Sequence, residues 1–327
     1  MKDVWPVTLE DVRAARDRLR PYVATTPLRN YPTLDGELSG GCRILVKHEN
    51  HLPTNAFKVR NALSAACMLS STELAQGVIC ASTGNHGQGV AFAARALGAR
   101  ATVVVPRNNN AQKNAAIRAL GATLLEHGRD YDEALAEAQR SSDETGMTFV
   151  HSTNNRYVIA GAGTLALEIV EQAERLDALV VAIGGGSQAV GAMTVMSALR
   201  PDVKVYGVQA AGADAAYRSW MARTPVAGNN VSTFADGIAT RNVYKMTWPA
   251  LRDGLAGFVT VTDDEIAHAL RCLVRHTHNM AEGAGAAGLA GAIALGERLA
   301  DKTVAVILSG SNIELGTLAR VLSSSRN

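Results

Sequence analysis

One lysine of this chain stands where its amine could do chemistry. Lys58 follows Phe57 directly and begins a segment whose alanine-rich continuation, 62–69, favours a helix. A cation is disfavoured beside the positive N-terminal end of a helix dipole, and a lysine amine is a nucleophile toward carbonyl carbons. Because a solvated side chain at a helix start would explain the same residue, a chemical role for Lys58 requires a second group.

A glycine-rich segment supplies a candidate for that second group. It follows the apolar run 178–183 and consists of Gly184, Gly185, Gly186 and Ser187. Glycines between a strand and a helix leave backbone N–H groups free to bind a phosphate. A dinucleotide fingerprint also fits Gly184, Gly186 and Ala189, but it requires an acidic residue after the next strand, where Gln209 stands. A glycine turn without any ligand stays open as an alternative.

Two further polar segments follow predicted strands. The first consists of Ser82, Thr83, Gly84, Asn85 and His86. Open α/β sheets bind ligands at the C-terminal ends of their strands, and the hydroxyl groups and free amides of this segment suit a carboxylate. His86 could be a general base, although a histidine in a first helical turn is more often structural. The second segment begins at Ser309, which by itself indicates nothing.

The elements that would position these residues follow an alternating pattern. The chain has 327 residues, 47% of them hydrophobic and 19% charged, which is enough for a large core. Short β-branched runs alternate with alanine-rich stretches, and this pattern predicts βα units, parallel sheets and two closely packed α/β domains. The predicted strands are Val78–Ser82, Ala101–Val105, Thr123–Glu126, Thr148–His151, Leu179–Ile183, Lys204–Val208 and Val304–Leu308. The predicted helices centre on Ala91, Ala116, Ala136, Ala166, Val195, Leu270 and Ala290, with another over 8–20.

Composition narrows the setting of the protein. Lys plus Arg is 32 against 30 Asp plus Glu, a net charge of +2, so nucleic acid and anionic membranes are not expected partners. The four cysteines lack C-x-x-C spacing, so we expect them to be small buried side chains rather than parts of a zinc site or a redox pair. The uncharged stretch 178–199 is broken by its glycines and predicts a strand, a loop and a buried helix. The first residues contain no apolar signal segment, so a cytoplasmic location is expected.

Taken together, these segments resemble the fold-type II pyridoxal-phosphate (PLP) enzymes, specifically the threonine dehydratase and serine racemase family. Further matches extend the resemblance over most of the chain, at Thr25–Leu28, His151, Ile159–Gly161, Gly163–Thr164 and Phe234–Gly237. The resemblance implies a tryptophan synthase β-like α/β fold with two open, twisted, mostly parallel sheets flanked by helices. Residues 1–70 and 156–327 would form a large PLP-binding domain, and residues 71–155 would form a small domain.

The resemblance also assigns a role to each motif. Lys58 would bond to the cofactor aldehyde, and Phe57 would pack beside the ring. Asn85 would hydrogen-bond the phenolic oxygen, Ser309 would meet the pyridine nitrogen, and Glu282 would lie close to the ring. The phosphate would be held by Gly184, Gly185, Gly186 and Ser187. The substrate would be bound by Ser82, Thr83, Gly84, Asn85, His86 and Arg241, with Lys58 and Thr83 as the catalytic residues.

The sequence departs from the family pattern in several places. Where the family usually has Thr-Gly-Ser-Phe-Lys, this chain has Asn55 and Ala56, and Asn61 replaces the customary glycine after the arginine. These changes concern the substrate pocket. Many members of the family bind a divalent cation through two carboxylates, and here Gln209 and Ala215 occupy those positions. We therefore expect no catalytic metal, because Mg²⁺ and Ca²⁺ prefer charged oxygen ligands.

A neutral Ser309 hydroxyl does not stabilise a pyridinium, which favours substrates with a leaving group on Cβ. The expected activity is therefore that of an ammonia-lyase, which removes the β-hydroxyl of threonine, serine or a larger analogue to give a 2-oxo acid and ammonia. Arg241 would favour an acidic or hydrogen-bonding substituent. The alternatives are an amino-acid racemase that uses the Thr83 hydroxyl, β-replacement, and a non-catalytic small-molecule binding protein. A homodimer is expected. The chain ends at Asn327 without the regulatory domain of biosynthetic threonine dehydratases, so feedback inhibition of the isoleucine type is not expected.

Overall fold

The computed structural model describes residues 5–228 and 231–324. Within these ranges the chain forms ten strands and fourteen α-helices. The strands are β1 Leu28–Asn30, β2 Arg43–His48, β3 Val78–Ala81, β4 Ala101–Val105, β5 Thr123–Glu126, β6 Thr148–Phe149, β7 Ala178–Ala182, β8 Lys204–Ala210, β9 Gly257–Val261 and β10 Thr303–Leu308. The helices are α1 Leu9–Leu19, α2 Pro32–Asp35, α3 Lys58–Ala66, α4 Ser71–Gln76, α5 Asn85–Ala96, α6 Ala111–Ala119, α7 Tyr131–Thr145, α8 Arg156–Gln172, α9 Ser187–Leu199, α10 Ala215–Ala222, α11 Trp248–Gly254, α12 Asp263–Thr277, α13 Gly283–Leu295 and α14 Leu315–Ser323.

The strands form two separate sheets. A six-stranded sheet has the order β1-β2-β10-β7-β8-β9, and every neighbouring pair is parallel except β1 with β2. A four-stranded sheet, β5-β4-β3-β6, is parallel throughout. Because parallel strands require crossover connections, helices cover the faces of both sheets. The predicted α/β class with two mostly parallel sheets is confirmed.

All seven predicted strands are present, with ends that differ by at most two residues. The stretch 178–199 forms β7, a loop and α9, as the sequence predicted. No helix in the described ranges is long and apolar enough to cross a bilayer. Residues 1–4, on which part of the signal-segment argument depends, lie outside those ranges.

Helix α3, which begins at Lys58, is held by close packing against α8. A Cβ atom on Gly161 of α8 would overlap the carbonyl group of Arg60, so only glycine lets the two helices approach this closely. Helix α8 in turn contacts α9, where a Cβ atom on Gly191 would lie 2.5 Å from the backbone nitrogen of Gly163. These contacts fix α3 relative to the start of α9, which is the predicted phosphate loop.

A buried ion network fixes α3 from a second direction. Arg60 donates to Glu49 at 2.7 Å and to Glu168 at 2.7 Å, and Lys47 donates to Glu168 at 2.6 Å. All four side chains are buried, and the Thr26 hydroxyl donates to Glu49 at 2.7 Å. Burying a charged side chain costs a large free energy unless an opposite charge and hydrogen bonds pair with it, as they do here. The network therefore locks the first turn of α3, two residues after Lys58.

Candidate active site

Lys58 is positioned by the turn that follows β10. The Phe57 N–H donates to the Ser309 carbonyl at 2.9 Å, and Ala56 forms an antiparallel bridge with Gly310. The Lys58 amine lies 4.9 Å from the centre of the Phe57 ring. In the described part of the chain no side chain or carbonyl hydrogen-bonds this amine. A half-buried cation without a partner is costly, and this is the condition that favours the neutral form.

The protein lowers the pKa of Lys58. Burial lowers it from 10.5 to about 8, and the nearby Glu282 carboxylate opposes that change. The same environment lowers the pKa of His151 to about 4, through burial first and the Lys58 charge second. A lysine whose pKa is near 8 has a usable fraction of neutral amine at physiological pH, which an ordinary lysine lacks.

Glu282 is the acidic group of the site, and it is buried just before α13. Asn85 donates to one carboxylate oxygen at 2.6 Å, while the other oxygen has no hydrogen-bond partner among the described residues. Burial and then the negative charge of Asp236 raise the pKa of Glu282 to about 7. The Asn85 amide oxygen accepts from Asn312 at 2.7 Å. Two amides thus orient a carboxyl group that gains and loses a proton near neutral pH.

The glycine loop before α9 forms a cradle of backbone donors. Gly186 is the N-cap of α9 and has a φ of 90°, which favours glycine. The N–H groups of residues 184–189 donate to no acceptor in the described ranges. A Cβ atom on Gly185 would overlap the Thr153 hydroxyl. Unpaired N–H groups at a helix N-terminus bind phosphate, and the glycines keep their approach open.

A hydrogen bond joins this loop to the helix of Lys58. Asn61 lies three residues after Lys58 and therefore on the same face of α3. Its side-chain amide donates to the Ser187 hydroxyl at 3.3 Å, and its amide oxygen has no partner in residues 5–228 or 231–324. In the sequence, Asn61 stands out only because it departs from the family pattern. Sequence spacing could not show that Asn61 contacts the first turn of α9, because 126 positions separate it from Ser187.

The segment Ser82–His86 spans the turn between β3 and α5 and the first two residues of α5. The Ser82 hydroxyl accepts from the N–H groups of Gly84 at 3.1 Å and Gly87 at 2.8 Å, so it closes its own loop. The N–H groups of Thr83, Asn85 and His86 donate to no acceptor in the part of the chain that the structure describes. These three free donors, together with the half-buried Thr83 hydroxyl, are of the kind that hydrogen-bond a carboxylate.

His86 has a structural position. Its Nε2–H donates to the Val150 carbonyl at 2.9 Å, and the side chain is buried. Burial first and the Lys58 charge second lower its pKa to about 3. The imidazole is therefore neutral at physiological pH, and its side chain anchors the loop. Its contribution to the predicted substrate site is its backbone N–H.

Arg241 and Ser309 lie in contrasting environments. Arg241 donates to Asp132 at 2.6 Å and to Asp130 at 3.3 Å, at the start of α7, so two carboxylates already neutralise its charge. Its predicted contact with substrate stays a prediction. Ser309 is buried, and its hydroxyl approaches the Ala284 carbonyl at 3.4 Å. A weakly bonded neutral hydroxyl at the end of β10 can reorient toward a ring nitrogen.

At the end of β8 and just after it, polar side chains hydrogen-bond to nearby groups of the chain itself. The Gln209 amide oxygen accepts from the backbone N–H groups of Ala216 and Tyr217, both at 3.1 Å. Asp214, the carboxylate closest to the family's second cation position, accepts from Arg218 at 2.8 Å. The groups that could replace the family's cation ligands thus have partners of their own.

Fold and site together define an α/β protein that binds a phosphorylated carbonyl compound. The free N–H groups of the cradle 184–189 suit a phosphate, and the Lys58 amine suits an aldehyde. The family comparison agrees: the model described as "Pyridoxal-phosphate dependent enzyme" matches residues 19–310. The chain belongs to this family, and PLP is its cofactor.

Individual relatives place the chain more narrowly. It is 37% identical to an L-threonine ammonia-lyase of Thermotoga maritima over 97% of this chain and 78% of the relative. It is 35% identical to a biosynthetic L-threonine dehydratase of Pasteurella multocida over 90% of this chain but only 58% of that longer relative. Among solved structures, maize serine racemase superimposes with a TM-score of 0.92 at 28% identity, covering 98% of both chains.

Proposed function

We propose that this protein is an ammonia-lyase that removes the β-hydroxyl group of threonine or serine and releases a 2-oxo acid and ammonia. The observation that carries the proposal is the unpaired, half-buried Lys58 amine with its lowered pKa, beside the carboxylate-binding loop Thr83–His86. The relatives named as threonine ammonia-lyase and threonine dehydratase support the same reaction.

The residues of the chain divide the work as follows. Lys58 would hold the cofactor, and its neutral amine would accept the α-proton of the substrate. The free N–H groups of Thr83, Asn85 and His86 bind the substrate carboxylate. PLP bound here would supply an electron sink. The neutral Ser309 hydroxyl keeps that sink weak, which favours loss of the β-substituent over reactions that need a long-lived carbanion.

A substrate panel tests the proposal directly. The two enantiomers of threonine and serine, with larger β-hydroxy amino acids, are assayed for ammonia, 2-oxo acid and the opposite enantiomer. Stoichiometric ammonia and 2-oxo acid from threonine or serine is the expected result. Holoenzyme that yields neither product from any member of the panel would overturn the assignment.

The attachment of the cofactor is tested separately. Borohydride reduction of the holoenzyme followed by peptide mass mapping should find the cofactor on Lys58. A tag on any other lysine, such as Lys47 or Lys113 with their mostly buried side chains, would contradict the assignment. Lys58→Ala should lose turnover while keeping some PLP through the loop 184–189.

Racemisation is the second candidate activity. The Thr83 hydroxyl is half-buried and has no hydrogen-bond partner in the described ranges, so it is free to exchange a proton with substrate. The likeness to maize serine racemase supports this candidate. Thr83→Val should abolish the formation of the opposite enantiomer and leave elimination within a few-fold. An equal loss of both activities would assign Thr83 to substrate binding alone.

We also propose how the chain is organised and assembled. Residues 1–70 and 156–327 form the large domain and residues 71–155 the small domain; the distribution of strands between the two sheets supports this division. The protein acts as a homodimer, the commonest symmetric assembly, in the cytoplasm, where its four free thiols stay reduced. Light scattering on the holoenzyme tests the dimer, and limited proteolysis at residues 70–71 and 155–156 tests the domain boundaries.

A further inference from the structure

Three side chains of types that can bind metals, two histidines and a cysteine, lie on one face of α12. His268, Cys272 and His276 recur every four residues, so they point in the same direction from the helix. The turn after α2 brings Glu37 against them. None of these four residues belongs to the active site described above. Cysteine spacing alone gave no sign of this cluster, because two of its members are histidines and the fourth is 231 positions before His268 in the chain.

Two of the three donor-atom distances are close to those of a tetrahedral coordination shell. The Cys272 sulfur lies 3.5 Å from Nε2 of His268, and a Glu37 oxygen lies 3.6 Å from the same nitrogen. One ligand atom from each of Glu37, His268 and Cys272 lies within 4.8 Å of the other two. A tetrahedral zinc ion with Zn–S of about 2.3 Å and Zn–N of about 2.0 Å separates sulfur from nitrogen by about 3.5 Å.

His276 orients the carboxylate from the other side. Its Nε2 is 2.8 Å from the Glu37 oxygen that does not face His268. Residues that hydrogen-bond a metal ligand fix its orientation and raise affinity. Cys272 is buried and His268 is exposed, so the cluster has a fixed inner side and an open outer side through which an ion can enter.

We propose that Glu37, His268 and Cys272 bind one Zn²⁺ ion, with water in the fourth position and His276 holding the Glu37 carboxylate. One thiolate, one imidazole and one carboxylate favour zinc over Mg²⁺ or Ca²⁺, which select oxygen ligands only. The ion joins α12 to the segment after α2, two elements that are distant in sequence. Its binding stabilises the folded chain without contributing to elimination.

The experiment uses tag-free holoenzyme that has been treated with chelator and dialysed, in the absence of amino acids. Co²⁺ serves as the probe, because thiolate coordination produces a charge-transfer band in the near ultraviolet and tetrahedral geometry produces intense visible bands. We expect one Co²⁺ per chain, displaced by one Zn²⁺, and a higher melting temperature with Zn²⁺. The absence of a thiolate band at saturating Co²⁺ would overturn the proposal.

Variants identify the ligands. Cys272→Ser should remove the charge-transfer band, His268→Ala should weaken binding more than ten-fold, and His276→Ala should weaken it about ten- to a hundred-fold. Cys67→Ser is the matched control, because this half-buried thiol lies outside the cluster, and it should keep the band. Retention of the cofactor's visible absorption shows that each variant is folded. An unchanged band in Cys272→Ser would place the ion elsewhere and refute the site.

Discussion

The lowered pKa of Lys58 predicts how fast the cofactor-free protein takes up PLP at each pH. Only a neutral amine attacks an aldehyde, and the pKa of Lys58 is about 8 because burial disfavours its cation. At pH 7 about a tenth of such an amine is neutral, against roughly 1 in 2,500 for a lysine of pKa about 10.4, so the structure predicts uptake roughly 200-fold faster than an ordinary lysine allows.

The direction of the pH dependence follows from that pKa. The rate should rise tenfold per pH unit below about pH 8 and level off above it, since the amine is then neutral. Glu282→Gln removes the carboxylate that stabilises the Lys58 cation, so the midpoint should move to lower pH. Glu297→Gln, on an exposed glutamate, is the control and should leave the midpoint unchanged. The second ionisation of a phosphate, near pH 6, affects every variant alike.

Stopped-flow absorbance follows the reaction, because the cofactor's visible band shifts when it bonds to lysine. Rate constants are measured for wild type and both variants between pH 6 and 10.5, a range chosen to span about two units on each side of the predicted midpoint. A wild-type midpoint near 10 would show that burial does not act on this amine. A midpoint that rises in Glu282→Gln would refute the charge interaction between the two side chains.

Three further predictions concern the loop, the core and cations. Gly185→Ala should weaken PLP binding measured by equilibrium dialysis, because its methyl group has no room, whereas Gly316→Ala has open space and should not. Glu168→Gln should lower the free energy of unfolding in urea by about 3–5 kcal/mol, whereas Glu171→Gln, in an exposed pair, should cost no more than about 1 kcal/mol. Mg²⁺ or Ca²⁺ added to chelator-treated enzyme should leave kcat unchanged, because Gln209 stands in place of a carboxylate; a several-fold rise would refute this.

The fold was predictable wherever strands are apolar throughout. β3, β4, β7 and β10 are parallel strands buried on both faces, and such strands appear in the sequence as continuous β-branched runs. β2 escaped prediction because Lys47 and His48 are buried within it. The partner that makes a buried Lys47 tolerable, Glu168, is 121 residues away and cannot be found from local pattern. β1 is an edge strand of only three residues, which is too short to show a strand pattern in the sequence.

The role of each residue in the site was harder to predict than which residues belong to the site. Sequence motifs placed Ser82 among residues that bind substrate, yet its hydroxyl accepts two N–H groups of its own loop. Its contribution is to shape the loop, which frees the neighbouring N–H groups for a carboxylate. Residue type determines which hydrogen bonds a side chain can make, whereas the conformation of the loop determines which partner it bonds.

The position of Glu282 links its own protonation to that of Lys58. Asn85 occupies one of its oxygens, so the proton that it carries near its pKa of about 7 resides on the unpaired oxygen. When that oxygen is ionised, it stabilises a Lys58 cation, as after the amine has accepted a proton; when it is protonated, the neutral amine is favoured. Because the Glu282 carboxylate opposes the lowering of the Lys58 pKa, a proton on Lys58 and an ionised Glu282 favour each other.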